Sequence, residues 1–242
     1  VYGYGMMLRP EPLQDLMVRF KEEARAIKDM GFVATKMKVG LGPRADIKLA
    51  EAVRRGIGDD FRFMVDANHC YTTSDAFEVG RALEDLDAYW FEEPIAPEDL
   101  QGYRELRAGL NVNISGGEAE FNRWGWRSLL ESRGLDIAQP EVCALGGISE
   151  YLRVLALCHA HFTPVVNHVW GSAVAVATNM HLLASMPDLP GGMNPWEPML
   201  EFDTTDNKFR DELLETPLEI QAQVARTNGY IALPEGPGLG IT

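Results

Sequence analysis

The sequence predicts a single α/β domain built as a (β/α) barrel, and three observations carry that prediction. Short apolar runs recur at nearly constant spacing, each is followed by a titratable or metal-ligating side chain, and each intervening segment has room for one helix. Lys38, Asp66, Glu92, Glu118, Glu141 and His168 follow successive runs, 28, 26, 26, 23 and 27 residues apart. The carboxyl ends of barrel strands converge on one mouth, so this spacing places six residues distant in sequence around one pocket. The length of 242 residues is close to the roughly 250 typical of such a barrel. A hydrophobic content of 46 % supplies one sizeable core.

Taken in order, the strands fall at 32–37, 61–65, 89–91, 112–114, 135–138 and 163–166, with another near 198–202 and Val1 at or near a first strand. Leu13, Leu16, Met17, Phe20, Ala24 and Ile27 recur at helical spacing, and Gly31 stops that helix. Further helices are expected over 45–55, 73–86, 97–108, 123–133, 148–161 and 172–185, with Ser74, Glu98 and Asn122 as first-turn or cap residues. From Asp203 onward the chain is rich in turn residues and loses the barrel period. The expected organisation is a catalytic barrel over 1–202 and a tail over 203–242 that packs on the barrel or on a capping domain.

A net charge of −14 and a pI near 4.8 exclude the clustered cations that nucleic acids or anionic membranes require. No apolar run reaches the ~18 residues of a membrane span, and the first residues lack a basic or long apolar leader. Cys70, Cys143 and Cys158 form an odd set without CxxC spacing, which reads as reduced, mostly buried thiols in a cytoplasmic protein.

Asp66, Glu92 and Glu118 are the centre of the chemistry. Any one of them alone reads equally well as a helix cap. Three carboxylates on successive strand ends repel one another unless a cation sits among them, and hard oxygen donors favour Mg²⁺, with Mn²⁺ as the alternative ion. Lys36 and Lys38 flank Met37, so strand alternation turns both ammonium groups to one face. Crowded like charges disfavour the charged form, which is how a lysine becomes a base. His168, at the end of a later strand, offers a second acid or base across the pocket. His69, His159, His161 and His181 are read as packing residues.

Several short motifs join these residues: Lys36, Met37 and Lys38; Asp66, Ala67 and Asn68; Phe91, Glu92, Glu93 and Pro94; Gly116, Gly117 and Glu118; Gln139, Pro140 and Glu141; and a closing Pro237, Gly238, Leu239 and Gly240. On them the chain resembles the C-terminal barrel domain of the enolase superfamily, in its mandelate racemase and muconate lactonizing branch. The resemblance implies a TIM-type (β/α)7β barrel whose Asp66, Glu92 and Glu118 bind Mg²⁺, with Glu93 supporting them from behind. It implies Lys38 as a base, His168 as its counterpart, and Lys36, Asn68 and Glu201 as substrate-holding residues, Glu201 by donating a hydrogen bond to the substrate carboxylate. The branch usually has Asp where this chain has Glu141, so Glu141 either reaches the His168 ring across one extra methylene or leaves the dyad weak.

The implied reaction is removal of the proton α to a carboxylate, giving an enediolate stabilised by the metal. Finer likeness around Tyr2 to Met7, Gly40 to Arg44 and Asn167 to Ser172 points to the branch's lactone-opening cycloisomerases, hence to β-elimination on an acid sugar or hexaric acid lactone. Racemisation or epimerisation, and a catalytically inactive barrel serving as a binding module, are the alternatives. The resemblance also implies a homo-oligomer and an N-terminal α+β capping domain, which this chain is expected to lack.

Overall fold

The computed structural model describes residues 1–187 and 196–242. Strands β1 (Tyr2–Met6), β2 (Ala34–Lys38), β3 (Arg62–Asp66), β4 (Trp90–Glu92), β5 (Asn113–Gly116), β6 (Ile137–Ala138) and β7 (Glu201–Asp203) alternate with helices α1 (Leu13–Asp29), α2 (Pro43–Ile57), α3 (Thr73–Asp85), α4 (Leu100–Gly109), α5 (Asn122–Ser132), α6 (Val142–Leu145), α7 (Ile148–Ala160) and α8 (Ala173–Ala184), and α9 (Lys208–Asp211) and α10 (Ile220–Thr227) follow. All described strand pairs are parallel, in the order β6-β5-β4-β3-β2-β1-β7. The first and last strands in sequence are therefore neighbours, as they are when a sheet curls toward closure.

The helices form where an apolar stripe meets a stop signal. In α1, Leu16, Phe20, Ala24 and Ile27 are buried at three- and four-residue spacing. Pro43 opens α2, where its missing N–H costs nothing. The caps sit beside the residues expected: Thr72 accepts from the Asp75 amide, and Asp99 from the Gly102 amide. Ser74 lies inside α3, and Glu98 just precedes the true cap. Asn122 is the first residue of α5, where its Oδ1 accepts from the Trp124 amide at 2.9 Å.

The expected strand at 163–166 is reduced to a parallel bridge between Ala138 and Val165. Pro164 has no N–H, so this segment pairs through the Pro164 carbonyl and the Val166 amide around Ala138. Of the cysteines expected to be mostly buried, Cys158 in α7 is buried while Cys70 and Cys143 are exposed, because Cys70 lies in the loop after β3 and Cys143 does not share the buried face of α6. The four-residue helices α6 and α9 are too short to carry a barrel-type apolar stripe. α10 buries Ile220 and Val224, and a Cβ on Gly31 (φ +92°) would lie 3.1 Å from the Val224 carbonyl oxygen. The residue that stops α1 thus also admits the tail.

Strand alternation sorts the side chains into two layers. Met37, Phe63, Val65 and Phe91 belong to the core between sheet and helices. Tyr2, Ala34, Met64, Trp90, Ile137 and Val166 form a second cluster on the other face. Lys36, Asp66 and Glu92 each stand two residues beyond a member of that second cluster, so they share its face nearer the carboxyl ends.

α5 and α7 are joined by Arg123, whose guanidinium meets both Glu150 carboxylate oxygens at 2.7 and 2.6 Å. Hydrogen bonds from the Arg123 side chain, then its amide, hold the Glu150 carboxyl down to about 2. A depressed carboxyl stabilises the fold above its unfolded value of ~4.3 and ceases to do so as pH falls toward its folded value. Glu150→Gln is therefore expected to lower the urea midpoint at pH 7, and the gap to the parent should close between about pH 4 and 2. A gap independent of pH would refute the pairing.

Candidate active site

The register sets the site. Lys38 pairs with Asp66 across β2 and β3, and Asp66 with Glu92 across β3 and β4. The next carboxylate follows β5 by a turn rather than ending it. Gly117 has φ +117°, and a Cβ there would lie 2.4 Å from the Trp126 ring, so only glycine lets the chain bend over Trp126 and return Glu118 to the same face. One carboxylate oxygen from each of Asp66, Glu92 and Glu118 then lies within 4.8 Å of the others.

Two ammonium groups offset these anions. Lys36, 1 % exposed, sits 2.5 Å from Glu92 Oε1, 2.5 Å from Glu201 Oε1 and 3.5 Å from Asp66 Oδ2. Lys38 pairs with Asp66 Oδ2 and donates to Asn68 Oδ1 at 2.9 Å. Burial would raise the Asp66 carboxyl, but Lys36 and Lys38 hold it well below the ordinary range. Burial, then Asp66, raises Glu92, and burial raises Glu118. Burial would lower Lys36, but Glu201 and Glu92 keep it charged.

A divalent cation fits this donor set. The three nearest donors are carboxylate oxygens with no thiolate or imidazole among them, the geometry hard cations take. Glu118 Oε2 is buried without a hydrogen bond, although His168 Nε2 is 3.0 Å away. Around the triad, Glu92 Oε2 accepts from Trp90 Nε1 at 2.9 Å and Gln139 Nε2 at 2.8 Å, while Asp66 Oδ1 accepts from the Asn68 amide at 2.9 Å. Such contacts fix a ligand's free oxygen in direction.

Glu141 reaches His168. Its Oε2 is 2.9 Å from His168 Nδ1, while its Oε1 accepts from the Cys143 amide at 2.8 Å and caps α6. The short helix thus anchors a carboxylate long enough to span the extra methylene. Burial would lower the His168 imidazole, but Glu141, Glu201 and Glu118 outweigh it and push it up to about 9. Lys38, Asn68, Glu118, His168 and Glu201 line one pocket of about 400 Å³, together with Tyr4 and Trp170.

Glu201 lines the same pocket and is held from two sides. Its Oε1 takes the Lys36 ammonium and its Oε2 accepts from the Val169 amide at 2.8 Å. Burial would raise this carboxyl, yet Lys36 and then His168 hold it below the ordinary range. Glu93 is fully buried, with His69 Nε2 2.5 Å from its Oε2. His69 is therefore a polar partner of Glu93 beside the site, its imidazole raised by that contact, and not a packing residue. Asn68, His69 and Glu93 all have positive φ, and the His69 amide donates to the Glu93 carbonyl at 2.8 Å. Nothing in periodicity announces such left-handed turns, which is why His69 was missed. Gln139 and Trp90 were missed as well; only the position of Trp90 two residues before Glu92 hints at its contact. His161 is exposed at the end of α7, and His181 Nε2 lies 3.0 Å from the Leu239 carbonyl oxygen in the tail.

These features meet in one family. Residues 19–242 match the family described as enolase C-terminal domain-like, and the chain belongs to it. It is 41 % identical over 211 residues to the D-galactarolactone cycloisomerase of Agrobacterium fabrum, covering 87 % of this chain and 54 % of that protein. Among solved structures, it resembles the 3,6-anhydro-D-galactonate cycloisomerase of Zobellia galactanivorans, with a TM-score of 0.84 and 37 % identity over 100 % of this chain and 62 % of that one. It also resembles an L-talarate dehydratase from a Polaromonas species complexed with Mg and L-glucarate, with a TM-score of 0.80 and 26 % identity over 100 % of this chain and 61 % of that one. The chain spans about half the length of the curated relatives it matches. Among the described residues, no helix is long and apolar enough to cross a membrane.

Proposed function

We propose that this chain removes the proton α to a carboxylate of an acid sugar or its lactone, and that β-elimination follows, opening the lactone or releasing water. One observation carries this reading: Lys38 and His168 stand on two different members of one acidic triad, Lys38 on Asp66 and His168 on Glu118, and both line the same pocket. A proton taken on one side has a donor for the leaving oxygen on the other. Asp66, Glu92 and Glu118 hold a Mg²⁺ or Mn²⁺ ion, which when bound supplies Lewis-acid stabilisation of the charge that develops on the substrate carboxylate. Lys38 Nζ accepts the α-proton, and His168 Nε2 gives one up to the departing oxygen. Asn68 orients Lys38, Glu93 with His69 backs the triad, and Lys36 faces the substrate carboxylate. In the same reading the sheet closes as a (β/α)7β barrel, with the 163–166 segment as its remaining strand, and the protein is a cytoplasmic homo-oligomer.

The test is a screen of aldonates, aldarates and their lactones with Mg²⁺, scored for keto-acid formation. Keto-acid product that disappears on chelation supports the reading. Solvent deuterium incorporated at the α-carbon without loss of water or ring opening would replace it with racemisation, which the same two-sided placement serves. No turnover and no exchange across the panel would leave a binding module.

Glu141→Gln is expected to lower turnover about a hundredfold, since a neutral amide cannot stabilise the His168 imidazolium. Metal affinity should stay unchanged, because Glu141 touches no triad member. Full turnover in this variant would show that the dyad is not used.

A further inference from the structure

Lys36 poses a problem for any cation entering the triad. Its ammonium, buried to 1 % exposure, already occupies the space beside Glu92 Oε1 and Asp66 Oδ2, the groups a metal must claim. Its Nζ lies 5.9 Å from the Tyr2 ring centroid and 5.4 Å from that of Tyr4. A buried charge must keep a partner or lose its proton. Among the described residues, the one carboxylate outside the triad that pairs with Lys36 is Glu201. Glu201 is itself anchored at two points: β7 pairs with β1 through Tyr2 and Glu201, and Oε2 accepts from the Val169 amide, one residue after His168.

We propose that Glu201 is a positioning residue that holds the Lys36 ammonium at the edge of the triad while a divalent ion occupies Asp66, Glu92 and Glu118. The ion displaces Lys36 from Glu92 and Asp66, and Glu201 Oε1 keeps it paired, so cation and ammonium do not compete for the same oxygens. Because the same carboxylate grips the peptide after His168, it also ties the Lys36 side of the pocket to the His168 side. This inference rests on the proposed metal role of the triad and adds an assignment that role does not require.

The experiment is calorimetric titration of Mg²⁺ into the unaltered chain, Glu201→Gln, Lys36→Met and the double variant, each first checked by circular dichroism. Without Glu201 the ammonium falls back wholly on the triad, and Mg²⁺ affinity should drop about tenfold or more, the effect of losing one paired charge. In the Lys36→Met background the same change should move affinity less than about twofold. There no ammonium is left for Glu201 to hold away from the triad, so glutamine changes nothing that competes with the ion for Glu92 and Asp66. Equal weakening in both backgrounds would mean a packing role and overturn the proposal, as would an unweakened Glu201→Gln single variant. If Glu201→Gln does not fold, Glu201→Asp keeps the charge but shortens the reach. It should weaken binding in a Lys36-dependent way, and affinity unchanged from the parent would overturn the proposal. If the unaltered chain binds no divalent ion, the proposed metal role fails and this inference with it. If it binds one and the cycle shows no coupling, this inference alone fails.

Discussion

Lys38→Ala is expected to abolish α-proton exchange, by about a thousandfold or more, in any acid sugar that the unaltered chain exchanges in deuterated water. Lys38 is the half-open lysine of the pair: its side chain is 18 % exposed, against 1 % for Lys36, and it lines the pocket that Lys36 stands behind. Alanine removes the pocket-lining amine on the Asp66 side, but leaves Asp66 itself in place. His168→Asn should behave differently, keeping exchange and losing product formation, because its ring faces the Glu118 side. Exchange that survives Lys38→Ala and vanishes with His168→Asn would reverse the two roles. Nuclear magnetic resonance of the recovered substrate reads both variants in one experiment.

The second large effect concerns the metal. Glu92→Gln should weaken Mg²⁺ binding by more than about a hundredfold, exceeding the 10–100-fold loss typical of outer contacts. Glu92 is held on both oxygens, taking Lys36 on Oε1 and both Trp90 and Gln139 on Oε2. An amide in its place loses the charge and turns an NH₂ toward donors. The check is thermal: at 100 times its dissociation constant a ligand adds about 2.7 kcal/mol to stability, so the parent's midpoint should rise with Mg²⁺. The variant's midpoint should not. A variant that keeps the full Mg²⁺-dependent rise would remove Glu92 from the ligand set.

How much of this was legible in the sequence differs from residue to residue. The barrel period placed Asp66 and Glu92 at strand ends because a parallel strand buried on both faces reads as an apolar run, and its end is where polarity returns. Alternation put Lys36 and Lys38 on one face for the same local reason. The bounds of the helices were legible to within a few residues, since a buried stripe and a stop signal are both local. The cap at Thr72 in place of Ser74, and at Asp99 in place of Glu98, depended on which side chain folds back to a free amide. The shrinking of the 163–166 strand to one bridge came from Pro164, visible in the sequence but silent about how far its neighbours would still pair.

What the sequence determined by itself is the inventory and its order along the mouth: three carboxylates, two lysines on one face and a histidine, delivered by a repeating strand and helix. These follow from side-chain period and apolar burial, which act between near neighbours in the chain. Tertiary structure alone decided the partners. Whether Glu141 reaches His168 depended on α6 anchoring its other oxygen. Which cation Glu201 pairs with depended on Lys36, 165 positions earlier, lying 2.5 Å away. His69 was turned toward Glu93 by two left-handed peptides and a hydrogen bond between loops. Electrostatic pairing is set by distances of a few ångströms across chain separations that no local pattern encodes, and burial decides how strongly each pair is felt.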